Sequence, residues 1–460
     1  MKVMLVLPPS HSAISSVLGT TGPPLGLAYI ASVLEREGHD VRIIDSLALN
    51  YSLKDLRSEV KSFDPDVVGL TATTPAIYDA YKVAKLVKLT NPNAKVVIGG
   101  PHVTFTAEET LRECPYIDVV VRGEGEMVMS SLIKNLEKGR PLKEVKGVTY
   151  RHGQDIRSTQ DAPLIRDLNE LPLPAYHLLP MERYRVGGKR FGTVITSRGC
   201  PFQCIFCSSS QLYGKFWRAR SPENVLEELR VLRDKYGIRE VEFLDDTFTL
   251  NNKRAERICE LIKIEGLDIS WSCSSRADTL ARRLALKLKS AGCHFLYLGV
   301  ESGSQKLLNI IRKGITLEQA KNAIRVAKHA GLNTLASFML GIPGETKETI
   351  KKTINFAKRL NPTLAQFTLC TPYPGTRLYE IAKRCGYLLT KDWSKYTTLE
   401  PVIKLPGITV KELKRWLEKA YLSFYLRPNF IIRSFGKNSL FFMKRIIEAV
   451  INYVGLRGVR

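Results

Sequence analysis

Three cysteines, Cys200, Cys204 and Cys207, stand in the segment SRGCPFQCIFCSSS (197–210), directly after an apolar run. Thiolates this close in sequence can wrap one face of an iron–sulfur cluster. Three of them, rather than four, leave one iron open to an outside ligand. Zinc is the competing reading, but a structural zinc site takes four protein ligands. No fourth Cys or His lies nearby: His177 is upstream and Cys259 far downstream. Cluster therefore ranks above zinc, and zinc above three unrelated buried thiols.

Such a loop needs a scaffold, and the flanking pattern supplies one. Between 191 and 400 a strand-then-helix rhythm recurs: GTVITSRG (192–199), EVEFLDD (240–246), ISWSCSS (269–275), HFLYLGV (294–300), LASFMLGI (335–342) and LAQFTLC (364–370). Six units in about 200 residues suit a partial (β/α) barrel, whose functional residues gather at strand C-termini. Residues 1–140 alternate in the same way, with apolar strands near 2–8, 41–45, 66–73, 95–100 and 118–123. Near-continuous apolar strands fit a parallel sheet covered on both faces. The predicted fold class is α/β: a flavodoxin-like doubly wound sheet (1–140), a connector (141–190) made of a hairpin around His152-Gly153 (147–158) and a Pro-rich strap (168–180), a partial (β/α)6 barrel (191–400) and a basic helical extension (401–460).

Open parallel sheets bind ligands at the C-terminal ends of their strands. In the first sheet those ends carry small, flexible or hydroxyl residues: Gly19–Gly26, Thr71–Thr74 with Thr73, Gly99-Gly100, and Gly123–Glu126 with Gly123 and Glu124. One glycine turn alone would be a tight strand-to-helix connection; four on one edge point to a cofactor bay.

The formal net charge is +24, but the basic residues are scattered and form no nucleic-acid-binding arm. Nucleic acid is not an expected partner. Nine cysteines without a secretory leader argue for a reducing cytoplasm and against a disulfide framework. No stretch reaches the ~18 uninterrupted apolar residues of a membrane-spanning helix.

With these elements placed, the Cys200-x3-Cys204-x2-Cys207 segment, including Phe206, resembles the motif of the radical SAM enzymes. The resemblance implies a [4Fe-4S] cluster whose open iron takes the amino and carboxylate groups of S-adenosylmethionine (SAM), with Phe206 near the adenine. It implies further SAM contacts at later strand ends: Asp245 and Asp246, Arg276, Glu301, and the turn Gly341, Pro343 and Gly344. As helix caps or ion pairs these residues have a plain structural reading too. The segments PPLGLAYIASVLEREGHDV (23–41), VIGGPH (97–102) and RGEGE (122–126) resemble the B12-binding domain of the cobalamin-dependent class. That subgroup includes anaerobic magnesium-protoporphyrin monomethyl ester cyclase and enzymes acting on hopanoid or archaeal isoprenoid lipids. The resemblance implies cobalamin bound through Thr73, Gly99, Gly100, Gly123 and Glu124, and methylation or cyclisation at an unactivated carbon. It also implies a small-molecule or lipid substrate and a one-electron reductant such as ferredoxin or flavodoxin. The DxHxxG motif that supplies a cobalt-ligating histidine is absent; His11, His39 and His102 fall outside it.

Alternatives stay open here: a radical SAM enzyme with a degenerate N-terminal domain, a methylthiotransferase, or a non-catalytic zinc or B12 module. Methylthiotransferases carry N-terminal cysteines for a second cluster, whereas residues 1–199 contain only Cys114. Residues 427–460 carry seven Lys/Arg against one acid, and 440–456 has an amphipathic helical pattern. That tail packs on the barrel or makes peripheral contact with anionic lipid.

Overall fold

The computed structural model describes residues 1–10, 22–428 and 430. The amphipathic 440–456 segment, its lipid contact and His11 therefore lie outside the described residues. Among the described residues, no helix is long and apolar enough to cross a membrane.

The first sheet has seven strands in the order β2-β1-β3-β4-β5-β6-β7. These are β1 (Lys2–Leu7), β2 (Asp40–Asp45), β3 (Val67–Thr71), β4 (Lys95–Gly99), β5 (Val119–Val121), β6 (Val148–His152) and β7 (Asp155–Ser158). The first five are parallel, which is the flavodoxin-type order. Val3–Val6, Val67–Leu70 and Val96–Ile98 are buried because helices cover both faces. The hairpin read as part of the connector instead extends this sheet: β6 pairs antiparallel with β5, and β7 with β6. Without it, the buried Val119–Val121 run would end the sheet with unpaired backbone groups.

The second sheet runs β16-β15-β14-β13-β12-β9-β8. Its strands are β8 (Arg185–Val186), β9 (Lys189–Val194), β12 (Glu240–Phe243), β13 (Ser270–Ser275), β14 (Cys293–Glu301), β15 (Asn333–Leu340) and β16 (Leu364–Leu369). Six are parallel, giving the predicted partial (β/α)6 barrel. Val241, Phe243, Trp271 and Cys273 pack outward against the helices. Alternation therefore turns Glu242 and Ser272 to the concave face. The open edge is closed by the helix Val410–Tyr425. Tyr421 accepts from the Phe367 amide (3.2 Å) and donates to its carbonyl (2.8 Å), and Tyr425 does the same at Ala365 (3.1 and 2.7 Å).

The two halves share a core. One apolar cluster runs from Val3 and Leu25 through the connector's Leu168, Tyr176 and Tyr184 to Val194 and Phe243. Tyr176 donates to Glu228 (2.5 Å), Arg220 pairs with Glu228 and also reaches Tyr29, and Tyr184 donates to Asp45 (2.8 Å). The C-terminal ends of the parallel strands in both sheets thus face one another across a fixed interface.

Candidate active site

The three cysteines sit in a loop between two short antiparallel strands, β10 (Ser197–Arg198) and β11 (Arg218–Ala219). Gly199 has φ +86° and lies against the Phe216 carbonyl oxygen, where a Cβ would collide. Only glycine fits both constraints. The Cys200 amide donates to the Gly214 carbonyl (3.3 Å), and the Ile205 amide to that of Ile311 (3.0 Å). All three thiols are free and half-buried. Burial pushes the Cys200 thiol up to about 11, helped by Asp246, Cys207 and Cys204. Burial also raises Cys204, while Lys313 and Arg276 beside it pull in the opposite direction.

This donor set fits a cluster better than a single ion. Among the described residues, no three Cys, His, Asp or Glu side chains converge as one metal ion requires. Zinc would need its sulfurs ~2.3 Å from one point. A cluster takes each thiolate on a different iron, so neighbouring but unconverged thiols suit it. Lys313 and Arg276 would offset the negative charge that thiolate ligation brings.

Other sequence-predicted residues surround the loop. Arg276 lies over the Phe202 ring at 3.4 Å, pairs with both Asp278 oxygens at 3.0 Å and reaches Cys204 Sγ at 4.0 Å. Glu301 has a left-handed backbone (φ 68°), is buried and pairs with Lys313 at 2.7 Å. Phe206 packs on the second core, with Lys313 Nζ 5.9 Å from its ring. Asp246 Oδ1 accepts from Ser209, whose hydroxyl also lies 3.5 Å from Cys207 Sγ. Asp245 is buried and already occupied: it accepts from the Thr196 amide (2.6 Å) and from the Thr196 and Ser197 hydroxyls (2.5 Å each). It holds the start of the cysteine loop in place. Gly341, Pro343 and Gly344 form a turn in which Glu345 accepts from the Gly341 and Ile342 amides. Burial pushes the Glu345 carboxyl up to about 7 against those bonds.

Between the sheets lies a cleft of roughly 230 Å³, open to solvent on one side. One wall is the first sheet's edge, with Gly26, Gly69, Thr71, Gly99, Gly100, Gly123 and Glu124. Ser197, Arg198, Tyr213, Leu244 and Asp246 form the other. A Cβ on Gly26 or Gly123 would meet nothing within 4 Å, so these positions leave a cradle open to a large ligand. Thr73 is exposed and does not line the cleft: the turn Thr74–Ala76 carries it outward, and Thr71 takes the lining position. His102 faces away as well. It is buried against Trp393 (ring centroids 5.0 Å apart) with Nδ1 3.2 Å from Thr74 Oγ1, and burial lowers it to about 4. Among the described residues no histidine lines the cleft.

Glu124 lines the wall, yet its carboxylate is spent inside the protein. It pairs with Arg198 (3.0 Å) and Arg218 (2.9 Å) and accepts from the Ile165 amide (2.8 Å). Arg198 also pairs with Glu126 at 2.6 Å. Burial would lower the Arg198 guanidinium, but Glu126 and Glu124 more than offset it and hold the charge. Arg198, Arg218 and Lys313 were not singled out from sequence, whereas Glu126 belongs to the Gly123–Glu126 strand end named from it. Arg198 and Glu126 stand inside the quoted motifs, so motif membership was the available signal; nothing marks Lys313.

The family description "Radical SAM superfamily" matches residues 194–357, and "B12 binding domain" matches residues 12–133. An uncharacterized methyltransferase of Pyrococcus horikoshii is 53% identical, over 98% of this chain and 98% of its own. The chain belongs to the B12-binding radical SAM enzymes. Anaerobic magnesium-protoporphyrin IX monomethyl ester cyclase of Cereibacter sphaeroides is 33% identical to this radical SAM enzyme, over 93% of this chain and 71% of that one. The fold matches the radical SAM methyltransferase TsrM of Kitasatospora setae, solved with cobalamin and a [4Fe-4S] cluster: TM-score 0.74, 18% identity, covering 93% of this chain and 89% of that one. The B12-binding match over the first sheet disfavours the methylthiotransferase reading, and the radical SAM match over the cysteine loop disfavours the zinc module.

Proposed function

We propose that this radical SAM enzyme transfers a methyl group to an unactivated carbon of a small molecule. The cleft carries this reading: a glycine-lined wall of the B12-binding domain faces Ser197, Arg198 and Tyr213 of the hairpin that bears Cys200, Cys204 and Cys207. In the proposal those cysteines hold a [4Fe-4S] cluster, and Phe206, Arg276, Glu301 and the Gly341–Gly344 turn frame SAM. Gly26, Gly99, Gly100 and Gly123 would cradle cobalamin. When bound, these groups supply a radical that removes a hydrogen atom and a methyl group that replaces it.

The protein's own part is placement and shielding. Asp245 fixes the strand end from which the cysteine loop departs. Asp246 lines the cleft with Oδ1 held by Ser209, so its carboxylate can also accept from a ligand hydroxyl or amine. Lys313 and Arg276 keep positive charge beside Cys204. The concave barrel face offers Glu242, Ser272, Tyr297, Ser337 and Gln366, so the substrate carries polar groups rather than being wholly apolar. A one-electron carrier of the ferredoxin or flavodoxin kind supplies the electron. Methylation is preferred to cyclisation because the 53% identical relative is named a methyltransferase.

The test is anaerobic reconstitution with iron and sulfide, then SAM and dithionite. Reductive SAM cleavage is expected, and substituting Ala at Cys200, Cys204 or Cys207 should abolish it. Stoichiometric zinc without iron, or cleavage surviving in a cysteine variant, would overturn the assignment.

A further inference from the structure

We propose that Glu124 and Glu126, with Arg198 and Arg218, form a latch that positions the three-cysteine loop against the glycine-lined wall of the B12-binding domain. Its link to cofactor occupancy rests on the cleft reading above. Arg198 and Arg218 are cross-strand partners at the stem of the hairpin that bears the cysteines. Arg198 precedes Gly199-Cys200 directly. Both arginines are held by Glu124, which belongs to the loop after β5 of the other domain. The side chains are 10% exposed or less: 7% for Arg198, 10% for Arg218, 3% for Glu124 and 5% for Glu126.

The placement of this network separates it from an ordinary ion pair. Gly123, Glu124, Gly125 and Glu126 line the cleft, and Arg198 lines it from the opposite side. Tyr29, also a lining residue, lies 5.4 Å from the Arg198 guanidinium. Arg218 adds a bond to the Tyr213 carbonyl (2.7 Å), so the far arm of the hairpin is held too. Two cations and two carboxylates balance locally, and Ile165 of the connector caps the remaining Glu124 lone pair. The hairpin cannot shift against the first sheet without exposing a buried charge. A ligand that presses on Gly123–Glu126 therefore bears on the cysteine loop. Arg220, Glu228 and Tyr176 make a second buried network that flanks the same hairpin: the Arg220 amide donates to the Thr196 carbonyl (3.0 Å) and its guanidinium reaches Tyr29 (3.2 Å), but Glu228 pairs with neither Arg198 nor Arg218. The four latch residues are positioning residues, not catalytic ones.

Amide hydrogen exchange of the full-length, iron-loaded chain tests this, with hydroxocobalamin as the probe. In the wild type, hydroxocobalamin should slow exchange in peptides from 97–126 and also across 196–219. Glu124→Gln should keep wild-type iron content and circular dichroism. It should exchange at least ~10-fold faster across 196–219 even without cobalamin, a change corresponding to about 1.4 kcal/mol, and confine the protection to 97–126. Arg218→Lys, which keeps the charge but loses the planar fork, should shift exchange the same way and stands in if Glu124→Gln does not fold. Wild-type exchange across 196–219 in Glu124→Gln, or protection that still crosses, would overturn the latch. If the wild type binds no hydroxocobalamin, the cobalamin reading of the cleft fails, and the cobalamin-free exchange of 196–219 alone decides the latch.

Discussion

At the scale of single residues, charge placement around the cysteines makes the sharpest predictions. Lys313 sits between Glu301 and the Cys204 thiol, and neither it nor Glu301 is more than about one-tenth exposed. Lys313→Met should cost about 3–5 kcal/mol, because Glu301 is left buried and unpaired. It should also move the cluster's midpoint potential to more negative values, since a cation beside the added electron is gone. A redox titration followed by electron paramagnetic resonance reads the shift; an unchanged or more positive potential would contradict this role. Glu345 gives a pH prediction. Its carboxyl is raised from 4.5 to about 7 by burial. The folded chain therefore keeps a proton that the unfolded chain has lost, so stability present below pH 4.5 declines as pH rises through 7. Glu345→Gln should remove that decline, gaining on the order of 2–3 kcal/mol relative to wild type between pH 5 and 8. Parallel melting curves across that range would refute the assignment. Residue identity was legible only in part. Three cysteines at x3 and x2 spacing announce themselves, but Asp245 reads as a free strand-end carboxylate. Its partners, Thr196 and Ser197, come from a strand 48–49 positions away, and no local pattern carries that pairing.

At the scale of elements, the sequence showed periodicity and hid pairing. The six barrel strands and the five parallel strands were readable because each is a bounded apolar run. The hairpin 148–158 was readable as a hairpin, yet which sheet it joined was not. That depends on β5 offering an edge, a tertiary fact. The helix Val410–Tyr425 poses the same problem: its tyrosines look like ordinary aromatics, but Tyr421 and Tyr425 substitute for a missing strand beside β16. Replacing both with Phe should leave the Ala365 and Phe367 backbone groups unmet, at about 1–2 kcal/mol each. A chemical denaturation curve would show the loss, and a variant as stable as wild type would mean that water replaces the hydroxyls without cost.

At the scale of the whole molecule, the account depends on one cleft having two different walls. The glycine wall comes from the B12-binding domain, and the facing wall of Ser197, Arg198, Tyr213, Leu244 and Asp246 comes from the barrel and the stem of the cysteine hairpin. The connector's Tyr176 and Tyr184 keep them opposed. Composition could not show this. The residues behind the +24 charge are scattered along the chain, while the cleft balances Arg198 and Arg218 against Glu124 and Glu126. Because Gly26 leaves open space where its Cβ would be, Gly26→Phe should fill the cradle and lower bound cobalt while leaving iron in place. Loss of both metals would show a damaged fold instead.

Metal content of the wild-type chain tests the central claim most directly. The chain would be reconstituted anaerobically with iron, sulfide and hydroxocobalamin, desalted, and assayed for iron and cobalt. The two-walled cleft predicts about four irons on three cysteines together with about one cobalt per chain, as expected when one corrin fills one cradle. Iron without cobalt would contradict it, leaving a radical SAM barrel whose first domain serves another ligand.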